Sequence, residues 1–226
     1  MPNPFKKPKE QISNISMAVS FVKVCLKSDA DGLRIYRDIL TDILKSAGQH
    51  AAKELSQAQS NLEAVGSFIA LNDCAQNLYE AYESKRSGRL NDAVEKFAQA
   101  AEDALDSETR QTLLFSAFPK LTPLARARKV AEMFGCTVQG DFYALESLLD
   151  FLSVNHKAAV SSVSPQDSAF ADRYARMIAD TKSRMNINSQ CGRMLEALMN
   201  ADETALAARV QEAKSFVLEY LSDRKD

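Results

Sequence analysis

Apolar residues recur along this chain at helical spacing for almost its whole length. Ile12, Ile15, Val19, Val22 and Leu26 form the first row. Alternating steps of three and four make a single-faced stripe, which predicts a helix from Lys9 to Ser28. Asp29-Ala30-Asp31-Gly32 reads as a turn. A second row, Ile35, Tyr36, Ile39, Leu40, Ile43 and Leu44, stops near Gly48. A third segment starts at about His50 and continues to Tyr82 on Leu55, Ala58, Leu62, Val65, Ile69 and Leu78, with Gly66 and Asn72-Asp73 as candidate kinks. A fourth helix is expected from Leu90 to Leu105.

Punctuation becomes clearer further on. Ser107 is the expected N-cap of a short helix ending before Pro119. Thr122-Pro123 is a start signal, threonine as cap and proline at the first helical position. Gly135 reads as the left-handed C-cap that ends this helix. Asp141 to Lys157 follows, with Phe142, Leu145, Leu149 and Leu152 on one face. Residues 161–165 are the most linker-like internal stretch, and Ser164-Pro165-Gln166-Asp167 opens the next helix. Two further helices are expected at Gln190–Met199 and Asp202–Asp223. No window shows sustained strand alternation. The fold class is therefore all-α, a globular bundle of about nine or ten amphipathic helices. The expected division is a flexible arm at 1–8, an N-terminal helical bundle at 9–106 and a C-terminal one at 107–226, with one continuous domain as the alternative.

Composition narrows the function. The 226 residues are 46% hydrophobic and 26% charged, enough to bury a core without metal or disulfides. Lys and Arg total 28 against 30 Asp and Glu, so the chain is no polycation seeking nucleic acid. Only 7 Gly and 6 Pro disfavour a strand-rich fold and glycine-rich phosphate loops. Cys25, Cys74, Cys136 and Cys191 are widely spaced and read as free, mostly buried thiols of a cytoplasmic protein. No window resembles a signal peptide or a membrane span. In the arm, Pro2, Pro4 and Pro8 bar a helix, Lys6 and Lys7 favour solvent, and Phe5 stands out as a docking anchor.

Gly88-x-Leu90-x-x-Ala93-x-x-x-Phe97-x-x-Ala100, with Leu78, Ala81 and Tyr82 upstream, resembles a tetratricopeptide repeat hairpin over about 74–104. No second copy follows, and an array needs about three repeats. An ordinary helical hairpin is the expectation. Lys129 to Thr137, with a small residue and then Gly135, resembles the first helix and turn of a helix-turn-helix. Arg110, Lys120, Arg126, Arg128 and Lys129 precede or open it with no acid between Arg110 and Val130. The would-be recognition helix carries Asp141, Glu146 and Asp150 and no Lys or Arg up to Asp150, which argues against a nucleic-acid partner.

Chemical signatures are sparse. His50 and His156 are the only histidines, and no HExxH, GxSxG or Walker-type loop occurs. No Glu stands three residues before either histidine, as a di-iron bundle requires. No catalytic residue, metal or cofactor is expected. The expected function is a non-enzymatic protein–protein interaction module, of adaptor, chaperone-like or regulatory kind. Phe5, Tyr79, Tyr82, Arg126, Arg128 and Lys129 are its candidate partner-binding residues. The alternatives are a nucleic-acid-binding regulator using segment 110–129 and a helical small-ligand-binding protein. The first helix carries Phe21, Val24 and Cys25 beside its stripe, and the last carries Phe216 and Leu221 beside Leu206, Val210, Val217 and Tyr220. Apolar arcs that wide need cover on two sides, which tips the expectation towards a homodimer.

Overall fold

Burial decides where the helices end. In the computed structural model, which describes residues 9–46, 48, 51–113, 115–161 and 165–222, the chain is all-helical. Among the described residues seven α-helices take the place of the expected nine or ten, with a 3-10 helix at Phe115–Lys120: α1 Lys9–Lys45, α2 Ala52–Glu83, α3 Ser87–Ala104, α4 Ser107–Leu113, α5 Pro123–Ser161, α6 Pro165–Met199 and α7 Glu203–Ser222.

The reduced count comes from three expected breaks that do not occur. Asp29-Ala30-Asp31-Gly32 is helical because Asp29, Ala30 and Leu33 are fully buried and continue the row of Val22, Leu26, Tyr36 and Leu40. Gly135 does not cap a helix. No described glycine has a positive φ, and Val130, Met133, Val138, Leu145 and Leu148 form one buried row through it. No break precedes Gln190, since Ile187, Cys191 and Leu195 are buried in sequence on α6. In the first two cases packing along a long face outweighs the roughly 1 kcal/mol that a mid-helix glycine costs against alanine. The sequence resembling a helix-turn-helix is therefore an unbroken stretch of α5.

Local signals and structure coincide where local chemistry decides. Thr122 caps α5, its Oγ1 accepting from Ala125 N at 3.4 Å and its carbonyl from Arg126 N at 2.9 Å. The cap of α4 is Asp106, one residue before the expected Ser107; its Oδ1 accepts from Thr109 N at 2.9 Å. The backbone and hydroxyl bonds from Thr109 hold the exposed Asp106 carboxyl below its usual range.

The four long helices, α1, α2, α5 and α6, contain 37, 32, 39 and 35 residues. At 1.5 Å per residue they are about 50 to 60 Å long. Their core has two apolar parts. One joins Leu26, Leu78, Phe97, Phe118, Met133 and Cys191. The other joins Leu33, Tyr36, Val65, Leu148 and Leu152, with Tyr174 and Ile178 packed on it. Going up the sequence, α1 and α5 pass from the first part to the second, and α2 and α6 pass back. The helices therefore run up, down, up, down, as in a four-helix bundle. The α2–α3 hairpin and the 3-10 helix cover one flank. A third cluster, Ala18, Met194, Leu206 and Val210, seats α7 against α1 and α6.

Two glycines are required by close approach. A Cβ on Gly32 would lie 2.6 Å from Leu145 Cδ2, and one on Gly140 would lie 2.8 Å from Phe68 Cε1. Gly32 thus sets the α1–α5 approach, and Gly140 the α2–α5 approach. The turns α2–α3 and α6–α7 use non-glycine residues in the left-handed region, Lys85 at φ 55° and Ala201 at φ 53°.

Candidate functional site

A cleft of about 610 Å³ lies between α1, α5 and the α6–α7 corner. Ile15, Val19 and Val22 form one wall from α1, and Ala127, Val130, Ala131 and Phe134 form the other from α5. Both sets follow helical spacing, so the walls are the flanks of two helices. Leu195, Leu198 and Leu206 close the end, and Tyr82 reaches in from the last turn of α2.

The corner that shapes the end is built by its own hydrogen bonds. Asp202 N reaches back to Ala197 O at 3.0 Å and Ala201 N to Leu198 O at 3.2 Å, around left-handed Ala201. Asp202 then caps α7, its Oδ1 accepting from Ala205 N at 2.9 Å. Arg128 donates from Nη2 to the Met199 carbonyl at 3.0 Å, satisfying an end group of α6 and tying the corner to α5.

The candidate residues from sequence divide accordingly. Tyr82 and Arg128 line the cleft. Tyr79 is only 6% exposed and belongs to the core, its ring 6.3 Å from that of Phe134, with Lys23 Nζ 5.9 Å above it. Arg126 lies over the Phe118 ring and donates to the Pro119 carbonyl. Lys129 donates to the Thr112 carbonyl at 2.8 Å and pairs with Glu132. Arg126, Arg128 and Lys129 therefore bind helix-end carbonyls, which holds α4, the 3-10 helix and α6 onto α5. Phe5, the arm at 1–8, His50 and residues 162–164 lie outside the described residues, as do the side chains of Phe216, Val217, Tyr220 and Leu221. On α1, Cys25 is buried and Phe21 packs on the core, while Val24 is 51% exposed.

A polar layer that no sequence motif announced separates the two apolar parts of the core. It consists of Asp29 on α1, Asn72 on α2, Thr137 and Asp141 on α5 and Asn188 on α6, all at most 2% exposed. Asn188 Nδ2 donates to Asp29 Oδ2 at 2.7 Å and to the Val138 carbonyl at 2.8 Å. Asn72 Nδ2 donates to Asp141 Oδ2 at 2.5 Å, and Gln76 Nε2 donates to Asn72 Oδ1 at 2.7 Å. Cys25 Sγ donates to Asp29 Oδ2 at 3.3 Å. Burial pushes the Asp29 carboxyl up to about 7 against the pull of Asn188, Cys25 and the Arg184 charge. Burial, then the charge of Asp29, pushes Asp141 well above the ordinary carboxylate range. The Cys25 thiol is also raised, by burial and then by neighbouring Cys191. A signal for the layer exists in the sequence: Asp29 sits in the row Leu26, Leu33, Tyr36, and Asp141 in the row Val138, Leu145, Leu148. It is hidden because aspartate beside glycine also reads as a turn or a cap.

Comparison with family models, with curated proteins and with solved structures finds no match. The chemistry must be read from the geometry alone. A second cavity, about 600 Å³, opens on the other side of Leu195 and Met199, with Glu132, Cys136, Gln139 and Tyr143 along it and Asn188 at its floor. Burial raises the Cys136 thiol, and Glu132 adds to the shift. Among the described residues no group of three or more His, Cys, Asp or Glu is placed to hold a metal, and no helix is long and apolar enough to cross a membrane.

Proposed function

We propose that this chain is a non-enzymatic helical binding module whose cleft takes an apolar helical segment of a partner protein. The observation that carries the reading is the trough between α1 and α5: two facing rows of small and aliphatic side chains at helical spacing, closed at one end by Leu198 and Leu206. Such a trough suits the apolar face of an amphipathic helix, which docks through residues three and four apart. Tyr82 and Arg128 at the cleft are of the residue types that dominate binding energy at interfaces. The tetratricopeptide-like hairpin at 74–104 enters the same reading as the support that carries Tyr82 to the wall. Four free cysteines accord with a cytoplasmic setting. The inward use of Arg126, Arg128 and Lys129 favours a protein partner over nucleic acid.

Ala127 is half-buried on the α5 wall, and Ala127→Trp fills the trough from there. Affinity capture from the native host, with wild type and this variant side by side, tests the reading. A protein retained by wild type and lost by the variant, at equal melting temperature, supports it. Identical captured sets overturn it. So does a small organic molecule, seen by native mass spectrometry in the wild type and lost in the variant, which would make the cleft a ligand pocket. A second copy of this chain as occupant would appear as a concentration-dependent mass in sedimentation equilibrium, abolished by the same substitution.

A further inference from the structure

Asp29 and Asp141 are 0% and 1% exposed, midway along a bundle whose core is otherwise apolar above and below them. Asp29 has only Asn188 and the Cys25 thiol as donors, and Asp141 only Asn72, all uncharged and all bonded to the Oδ2 oxygens. The remaining oxygens, Asp29 Oδ1 and Asp141 Oδ1, are buried without a hydrogen-bond partner. The nearby guanidiniums are bound elsewhere. Arg34 Nη2 pairs with Asp73 Oδ1 at 2.8 Å, and Arg184 Nε pairs with Asp180 Oδ2 at 2.9 Å while its Nη1 donates to the Ser28 carbonyl. Two carboxylates buried together with neutral donors and no guanidinium paired to either repel each other and lack solvation. A proton on the pair removes one charge and supplies a donor for an oxygen that has none.

We propose that Asp29 and Asp141 form a proton-binding site of the folded chain, occupied by at least one proton at neutral pH, and that emptying it loosens the bundle at this layer. The groups facing it are few. From α1 comes Cys25. From α2 come Asn72 and Asp73, the latter pushing Asp141 further up. From α6 come Asn188, Cys191 and Arg184, the last drawing Asp29 down. The burial of both acids is the larger influence. The sign follows from linkage. Unfolded, both aspartates lose their protons near pH 4, at about 3.9. Folded, Asp29 keeps its proton up to about 7 and Asp141 beyond its usual range. The native state therefore binds more protons than the unfolded state across that window. The contribution is full below the unfolded value and is lost as pH rises through the folded value.

Urea unfolding of the full chain from about pH 4.5 to about pH 7.5 tests this. One extra bound proton makes the folding equilibrium constant fall about tenfold per pH unit, and two make the fall steeper. Asp29→Asn and Asp141→Asn should each flatten the slope, and each should fold better than wild type at alkaline pH. Carbon-13 NMR of the wild-type aspartate carboxyls keeps the proposal testable if a variant fails to fold. At least one carboxyl should show the protonated shift at neutral pH. Every aspartate titrating near pH 4, at about 3.9, would overturn the proposal. So would a stability that rises with sodium or potassium at constant ionic strength, because a bound cation would then take the proton's place.

Discussion

Replacing Gly32 by alanine puts a methyl group 2.6 Å from Leu145 Cδ2 and 3.1 Å from Arg184 Cδ. Favourable carbon–carbon contact begins at about 3.5 Å, so one of the neighbours must move by about 1 Å. Leu145 is fully buried, and Arg184 is held by Asp180 and the Ser28 carbonyl. Overpacking of this kind costs about 1–3 kcal/mol, and alanine returns about 1 kcal/mol of helix propensity. The net expectation for Gly32→Ala is a loss of about 1 kcal/mol. Gly140→Ala meets the Phe68 ring at 2.8 and 3.0 Å and should lose a similar amount. Gly66 is the internal control. It is exposed in the middle of α2, and a methyl group placed on it has nothing within 4 Å, so Gly66→Ala should gain about 1 kcal/mol. Urea unfolding followed by far-ultraviolet circular dichroism gives all three, and the gap between Gly66→Ala and Gly32→Ala should be about 2 kcal/mol. Equal stabilisation by all three variants would refute the close α1–α5 and α2–α5 approaches. Destabilisation by Gly66→Ala would refute the unbroken α2.

Ala201 holds a left-handed conformation at the α6–α7 corner; Ala201→Gly relieves it and should raise stability by about 1 kcal/mol in thermal or urea unfolding. Cys25 and Cys191 are buried, and Cys74 and Cys136 are partly exposed. Titration of the native protein with a thiol reagent should label Cys136 and Cys74 slowly, their thiols raised by burial, and reach Cys25 and Cys191 only on denaturation. Rapid labelling of Cys191 in native protein would contradict the α1–α6 packing.

Sequence and structure agree where a short stretch carries its own physics. Thr122-Pro123 starts a helix with its own capping bonds, and the row from Leu55 to Leu78 keeps helical spacing within one unbroken α2. They part where glycine and aspartate act at a distance. Gly32 and Gly135 read as a turn and a helix end because glycine is at home there; here Gly32 and Gly140 let helices approach, and their partners Leu145 and Phe68 are far away in sequence. The polar layer is hard to see for the same reason. Asp29 and Asn72 have turn-forming side chains, and only their place in apolar rows shows that they are buried. A register role follows from that placement, since sliding one helix past another would leave Asp29 or Asp141 against apolar neighbours. Of the residues at the cleft, the sequence singles out Tyr82 as an aromatic of the repeat-like hairpin and Arg128 as a cation of the basic run 110–129. The cleft itself was not, because its walls come from α1 and α5, about a hundred residues apart.

The claim that the cleft is a protein-binding site is tested most directly by photo-cross-linking in the native host. A photoreactive phenylalanine analogue replaces Asn200, an exposed residue at the mouth of the cleft, and in a control it replaces Val154, exposed on α5 away from the cleft. Irradiation should produce a discrete cross-linked polypeptide from position 200 and none from position 154, and Ala127→Trp should abolish it. Cross-linking from both positions alike, or from position 200 undiminished by Ala127→Trp, would contradict the account.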